Sequence, residues 1–232
     1  MASLHAPLPA PYDEILLRLQ EEVRRRLAAS PECHGWDHTV RVWHNARHLA
    51  EAEQADRAVV AFGAWLHDIG RPEELASNGQ TCHAERGAAL VPGILAQVDV
   101  TDAAFVARVV ACVRTHRYRR RGGEAPATLE ARVVYDADKL DSMGAIGIGR
   151  AFHFAGRIGA RVHNTEAEAT ASASYSREDS AYREYLVKLR HLHEAMLTTE
   201  GRRMAENRHR FMVAFFQQID REVEGEDYHP ET

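Results

Sequence analysis

The 232 residues are 45% hydrophobic and 27% charged, with 34 acidic against 29 basic side chains. This is the composition of one large globular domain or one domain with an appendage, and its acidic balance argues against a nucleic-acid polymer or an acidic membrane as overall partner. Cys33, Cys82 and Cys112 are odd in number and lack a CxxC pair, which argues against a disulfide framework or a zinc ribbon and suits a reducing compartment.

Residues 1–11 carry no basic-then-apolar leader, and no stretch approaches the ~18 apolar residues of a membrane span. A cytoplasmic protein is expected. After the stiff run Pro7, Pro9, Pro11, the spacing of Ile15, Leu16, Leu19, Val23 and Leu27 predicts a helix over 12–29. Asp37 is the expected N-cap of a helix over about 38–53, with Val42, Ala46, Leu49 and Ala50 on its buried side. A helix over 57–68 should stop at Gly70-Arg71-Pro72, because proline disfavours the helical region for its predecessor. Further helices are expected over 83–95, 101–115, 129–139 and 145–158. Val133-Val134-Tyr135 reads locally as a strand, but no alternating partner exists elsewhere, so the class is all-α. Residues 164–180 are rich in Ser, Thr, Ala and Glu with little periodicity and read as a mobile loop. Two long helices should follow, one striped by Tyr182, Tyr185, Leu189 and Leu192. The other carries Met204, Phe211, Val213, Phe215, Phe216 and Ile219 and ends near Gly225.

Fourteen histidines are many beside seven Phe and seven Tyr. The sharpest local signal is His67-Asp68 at the end of the apolar run 61–66. Adjacent helical residues point about 100° apart, so both converge only on something at the helix end, such as an ion. On the dipeptide alone another reading stands beside it: Asp68 forms a C-terminal turn and His67 makes one core hydrogen bond. His38 opens its helix in His34-Gly-Trp-Asp-His-Thr-Val-Arg-Val42, and Asp138 lies in Asp136-Ala-Asp-Lys-Leu-Asp141. Between them stand His83, in Thr-Cys-His-Ala-Glu-Arg-Gly, and His116, in Arg-Thr-His-Arg-Tyr.

The order His, His-Asp, Asp across 38–138, with the run after Asp138 and the stretch Tyr185-Leu-Val-Lys-Leu189, resembles the HD superfamily of metal-dependent phosphohydrolases. The likeness is to its small bacterial single-domain branch and covers about 34–225. It implies an HD-domain helical bundle with additional C-terminal helices: a core over about 34–160, then the loop, then helices over about 181–225. It also implies one divalent ion held by His38, His67, Asp68 and Asp138. Two imidazoles and two carboxylates suit Mn²⁺, Ni²⁺, Co²⁺, Fe²⁺ or Mg²⁺ better than a closed tetrahedral zinc site. Four protein ligands on an octahedral ion leave room for a water and a phosphate oxygen. Asp68 is in addition the expected catalytic residue, orienting the nucleophile.

For His83 and His116 the resemblance leaves three roles: phosphate contact, second-metal ligand or structural histidine. Arg71 stands where related motifs carry a basic phosphate contact, although the nearest branch more often has an acidic residue and a lysine nearby. Glu73 or Glu74 is a candidate general acid. Arg114, Arg117, Arg119, Arg120 and Arg121 form either a solvated face or, through one or two guanidinium groups, a phosphate clamp; Lys139 and Arg150 are similar candidates. His44, His48, His153, His163, His191, His193 and His209 read as surface residues, and Asp136 or Asp141 as a support for the ligand shell. The expected substrate is a small phosphorylated molecule, a nucleotide, with triphosphates split into monophosphate and pyrophosphate. A monophosphatase, a cyclic-nucleotide phosphodiesterase, a di-iron oxygenase and a non-catalytic nucleotide sensor are the alternatives. The sequence is silent on oligomeric state.

Overall fold

The computed structural model describes residues 8–28, 35–117 and 124–226, among which every regular element is helical. In chain order these are α1 Tyr12–Leu27, α2 Trp36–Ala52, α3 Arg57–Leu66, α4 Arg71–Ala76, α5 His83–Gln97, α6 Ala103–Thr115, α7 Leu129–Asp141, α8 Gly144–Arg157, α9 Glu166–Ala171, α10 Ala181–Val187, a 3-10 helix Leu189–Ala195, and α11 Thr199–Glu224. The class is all-α, as expected. The chain falls into two compact units, one running to Lys139 and including Leu197–Gly201, the other built from Leu140–Met196 and the chain from Arg202 onward.

The first unit is organised around α3, whose residues Ala58 to Leu66 are all buried. A helix apolar on every side must be enclosed, and α1, α2 and α6 pack against it. Asp56 caps it, accepting from the Ala58 and Val59 amides at 3.0 and 3.3 Å. Tyr12, Phe62 and Phe105 bring α1, α3 and α6 together, with ring centroids 4.7 to 5.7 Å apart, arrangements that add to simple area burial. The strand-like run Val133-Val134-Tyr135 is buried inside α7; enclosure overrides its local preference.

Two boundaries differ from the sequence reading in ways that matter for the site. α2 starts at Trp36 with Gly35 as its N-cap, and Asp37 lies in the first turn, where its charge favours the helix dipole without a capping bond. α3 ends at Leu66, and Gly70-Arg71-Pro72 does not stop a helix but starts one: the proline sits in the first turn of α4, where a missing N–H costs nothing. The need for glycine at position 70 is steric. A Cβ there would lie 2.3 Å from the His83 carbonyl oxygen and 2.6 Å from the Gly87 amide, so the backbone of α5 rests directly on the turn that carries Asp68.

In the second unit, residues 164–180 are more ordered than their composition suggests. Thr165 and Glu168 form a reciprocal capping box that starts α9, and Asn164 accepts from the Ser180 hydroxyl at 2.5 Å while donating to the Glu178 carbonyl at 2.9 Å. The segment's ends are thereby tied together. The first of the two expected long helices is also interrupted: Lys188 leaves the helical region, and a 3-10 helix replaces its second half. Tyr185 stacks on Phe216 at 4.2 Å, joining α10 to α11. Among the described residues, no helix is long and apolar enough to cross a membrane.

Candidate metal centre

His67 caps the C-terminus of α3, and its Nδ1 donates to the Ala64 carbonyl at 2.7 Å. His116 repeats this at the end of α6, with Nδ1 on the Val113 carbonyl at 2.7 Å. His83, the first residue of α5, donates from Nδ1 to Glu74 Oε2 at 2.9 Å. A neutral imidazole whose Nδ1 donates keeps a bare lone pair on Nε2. These lone pairs converge: His83 Nε2 is 3.2 Å from His116 Nε2, and His67 Nε2 is 3.2 Å from His38 Nε2. For His83 and His116 the contact cannot be a hydrogen bond while each ring holds its proton on Nδ1. About 3 Å is the edge between neighbouring ligands that sit ~2.1 Å from an ion.

Asp68 spans both pairs. Its Oδ2 lies 3.6 Å from His38 Nε2 and 3.7 Å from His67 Nε2. Its Oδ1 lies 3.5 Å from His83 Nε2 and 3.4 Å from His116 Nε2, and accepts from Arg71 Nε at 3.0 Å. Asp138 brings Oδ1 within 3.5 Å of His38 Nε2. Two clusters result, His38, His67 and Asp138, and Asp68, His83 and His116, each with its ligand atoms within 4.8 Å of one another. Both are able to hold a metal ion. All six residues are buried except Asp138, which is partly exposed.

The electrostatics suit ligation. Burial pushes the His67 and His83 imidazoles down to about 4, so near neutral pH both offer a lone pair rather than a proton. Burial opposes the charge of Asp138, but the Lys139 ammonium and the neighbouring imidazoles outweigh it and hold the carboxyl well below its usual range. Lys139 is itself buried, donating to Asp138 Oδ2 at 2.5 Å and to the His116 carbonyl at 2.8 Å. Asn45 donates to the Ala137 carbonyl at 3.1 Å, pinning the helix of His38 to the helix of Asp138.

The other candidates divide by position. Arg71 adjoins the clusters through Asp68 and also donates to Glu74 at 2.7 Å. Arg117 Nη1 lies 3.2 Å from Cys82 Sγ and 3.5 Å from Glu74 Oε1. Lys139, expected to meet substrate, donates to Asp138 and to the His116 carbonyl. Arg150 is held by Asp141 at 2.9 Å in the second unit, and Arg114 is exposed beside Glu85. Arg119, Arg120 and Arg121 lie outside the described residues. Asp136 accepts from the Leu197 and Thr198 amides and the Thr198 hydroxyl at 2.7 to 3.1 Å; it supports the backbone that carries Asp138. His44, His48, His153, His163, His191, His193 and His209 lie outside both clusters.

The surroundings of Glu74 do not suit a proton donor. Burial favours its neutral form, but the His83 N–H and the Arg71 guanidinium overcome that and bring it down to about 2, leaving no proton to give near neutral pH. Its partnership with His83 spans nine residues and joins α4 to α5.

Comparison with known proteins agrees with this geometry. The HD domain family matches residues 35–143. The Bacillus subtilis protein YpgQ is 32% identical over 199 residues, covering 84% of this chain and 86% of YpgQ. The crystal structure of YpgQ in complex with ADP superposes with a TM-score of 0.70 at 27% identity, covering 91% of this chain and 96% of that one. A predicted HD superfamily hydrolase from an uncultured Thermotogales bacterium gives 0.64 at 29% identity, covering 90% and 92%. An HD-superfamily hydrolase from Bacillus thuringiensis gives 0.70 at 26% identity, covering 92% and 98%. The chain thus belongs to the HD superfamily of metal-dependent phosphohydrolases, as a small YpgQ-like member.

Proposed function

We propose that this enzyme hydrolyses a nucleotide, splitting a nucleoside triphosphate into monophosphate and pyrophosphate, with one divalent ion held by His38, His67, Asp68 and Asp138. The observation that carries the reading is the convergence of these four buried or partly buried side chains from α2, the α3–α4 turn and α7. A divalent ion held there supplies a water of lowered pKa and neutralises charge developing on phosphorus. Mn²⁺, Ni²⁺, Co²⁺, Fe²⁺ and Mg²⁺ all suit the mixed nitrogen and oxygen donor set.

The chain's own residues do the rest. Asp68 orients the attacking water through whichever oxygen edge faces it. Lys139 neutralises Asp138 and keeps its Oδ1 turned toward His38. Arg71 and Arg117, partly exposed beside the clusters, present planar forks that match phosphate oxygens. With their Nδ1–H groups engaged by Glu74 and the Val113 carbonyl, His83 and His116 turn bare Nε2 atoms toward the centre, where they accept hydrogen bonds from water. The complex of YpgQ with ADP supports a nucleotide as the ligand class. A second reading, that Asp68, His83 and His116 hold another ion, is favoured by their forming a cluster of their own.

A panel of nucleoside mono-, di- and triphosphates with each of the five metals tests the proposal. Pyrophosphate release from triphosphates is expected, and Asp68→Ala should lose at least ~100-fold in rate. Phosphate release from monophosphates alone, cleavage of cyclic nucleotides alone, or binding without turnover would replace it with one of the alternatives. Two ions per chain, lowered to one by His116→Ala, would establish the second reading.

A further inference from the structure

Glu74 sits on the six-residue helix α4, and its carboxylate gathers one group from its own helix and two from elsewhere in the chain. Oε2 accepts from His83 Nδ1 at 2.9 Å and from Arg71 Nη1 at 2.7 Å, while Oε1 faces Arg117 Nη1 at 3.5 Å. Arg71 then returns to the centre, its Nε donating to Asp68 Oδ1 at 3.0 Å. His83 Nε2 faces the same Oδ1 at 3.5 Å. Asp68, Arg71, Glu74 and His83 therefore close a ring of contacts at the edge of the metal centre.

We propose that Glu74 is a positioning residue for His83, fixing its ring orientation and tautomer so that a bare Nε2 faces Asp68 and His116. An ionised carboxylate only accepts, so the nitrogen facing it must carry the hydrogen. His83 is only 2% exposed, and without this acceptor its Nδ1–H would be buried unpaired or the proton would move to Nε2. A proton on Nε2 would point at the centre and block the lone pair. Arg71 makes the device rigid. It lies three residues before Glu74, hence on the same face of α4, and its two carboxylate contacts keep Glu74 and Asp68 in fixed register. Charge-assisted contacts of this kind are shorter and stronger than neutral ones.

The effect on turnover rests on the phosphohydrolase reading; the tautomer does not. Glu74→Gln keeps the shape and removes the charge. It should lower kcat roughly 10- to 100-fold, the usual cost of losing an outer partner of a site histidine, a larger effect than any rise in KM from Arg71 and Arg117, which face the same carboxylate. In a His83→Ala background it should cost no further kcat, because the part that acts through His83 has nothing left to act on. Wild-type kinetics in Glu74→Gln, or losses that multiply independently in the double variant, would overturn the assignment. Nitrogen-15 spectra of the imidazoles separate this from failure of the functional reading. His83 should be protonated on Nδ1 in the wild-type chain and shift toward Nε2 protonation in Glu74→Ala. A wild-type His83 protonated on Nε2 would overturn the proposal whatever the chain hydrolyses.

Discussion

The ammonium of Lys139 is enclosed between Asp138 and the His116 carbonyl, 4.9 Å over the Tyr135 ring, and at this scale it serves the ligand set. Lys139→Met should weaken metal binding by about 10- to 100-fold, read by titration of the stripped protein with Mn²⁺; unchanged affinity would make Lys139 a bystander. The two described cysteines differ for physical reasons. Burial pushes the Cys112 thiol up to about 12. Burial also resists ionisation of Cys82, but the amides of Glu85 and Ala84 and the Arg117 guanidinium prevail and lower it. Since the thiolate is the nucleophile, brief alkylation at neutral pH followed by peptide mass spectrometry should mark Cys82 and spare Cys112. The residue types of the candidate metal centre were legible in the sequence because His67-Asp68, His38 and Asp138 have ligand chemistry. The role of Glu74 was not, because a carboxylate facing two guanidinium groups and an imidazole becomes a hub only once α4 and α5 are folded together.

α3, α4 and α5 meet where Gly70 and Gly87 bring backbone against backbone. Gly70→Ala forces a methyl against the His83 carbonyl at 2.3 Å, which no rotamer relieves. It should cost about 1 to 3 kcal/mol or more, seen as a lower urea midpoint, with weaker metal binding as the turn that carries Asp68 shifts. Gly93 is the internal control: it lies in α5, and nothing comes within 4 Å of a Cβ added there. Gly93→Ala should be neutral or stabilise by up to about 1 kcal/mol; equal losses in the two variants would refute the close-approach argument. Gly201→Ala belongs with Gly70, since its Cβ would lie 2.4 Å from Asp136 Oδ2. Amphipathic spacing made α1, α5 and α6 legible to within a few residues. It failed where other forces decide: Gly-Arg-Pro begins a helix because the proline falls in its first turn, and α9 exists because of a capping box rather than an apolar stripe.

For the chain as a whole, a formal net charge of −5 gives no general attraction for an anionic nucleotide, so the proposed function assigns recognition to the local guanidinium groups of Arg71 and Arg117. Arg117→Ala should therefore reduce kcat/KM for triphosphates by about 10- to 150-fold, from the loss of a charge-assisted bond worth roughly 1.5 to 3 kcal/mol, and affect monophosphates less. The all-α class and the order of ligand-type residues could be read from the sequence. The division into two units could not, because no composition shift or linker marks Lys139 and Leu140. The most direct test of the metal-centred account is hydrolysis of a nucleoside triphosphate by the chelator-stripped chain before and after Mn²⁺ is restored. The account predicts no pyrophosphate release from the stripped protein and recovery with the metal. Release at the same rate in the presence of chelator would contradict it.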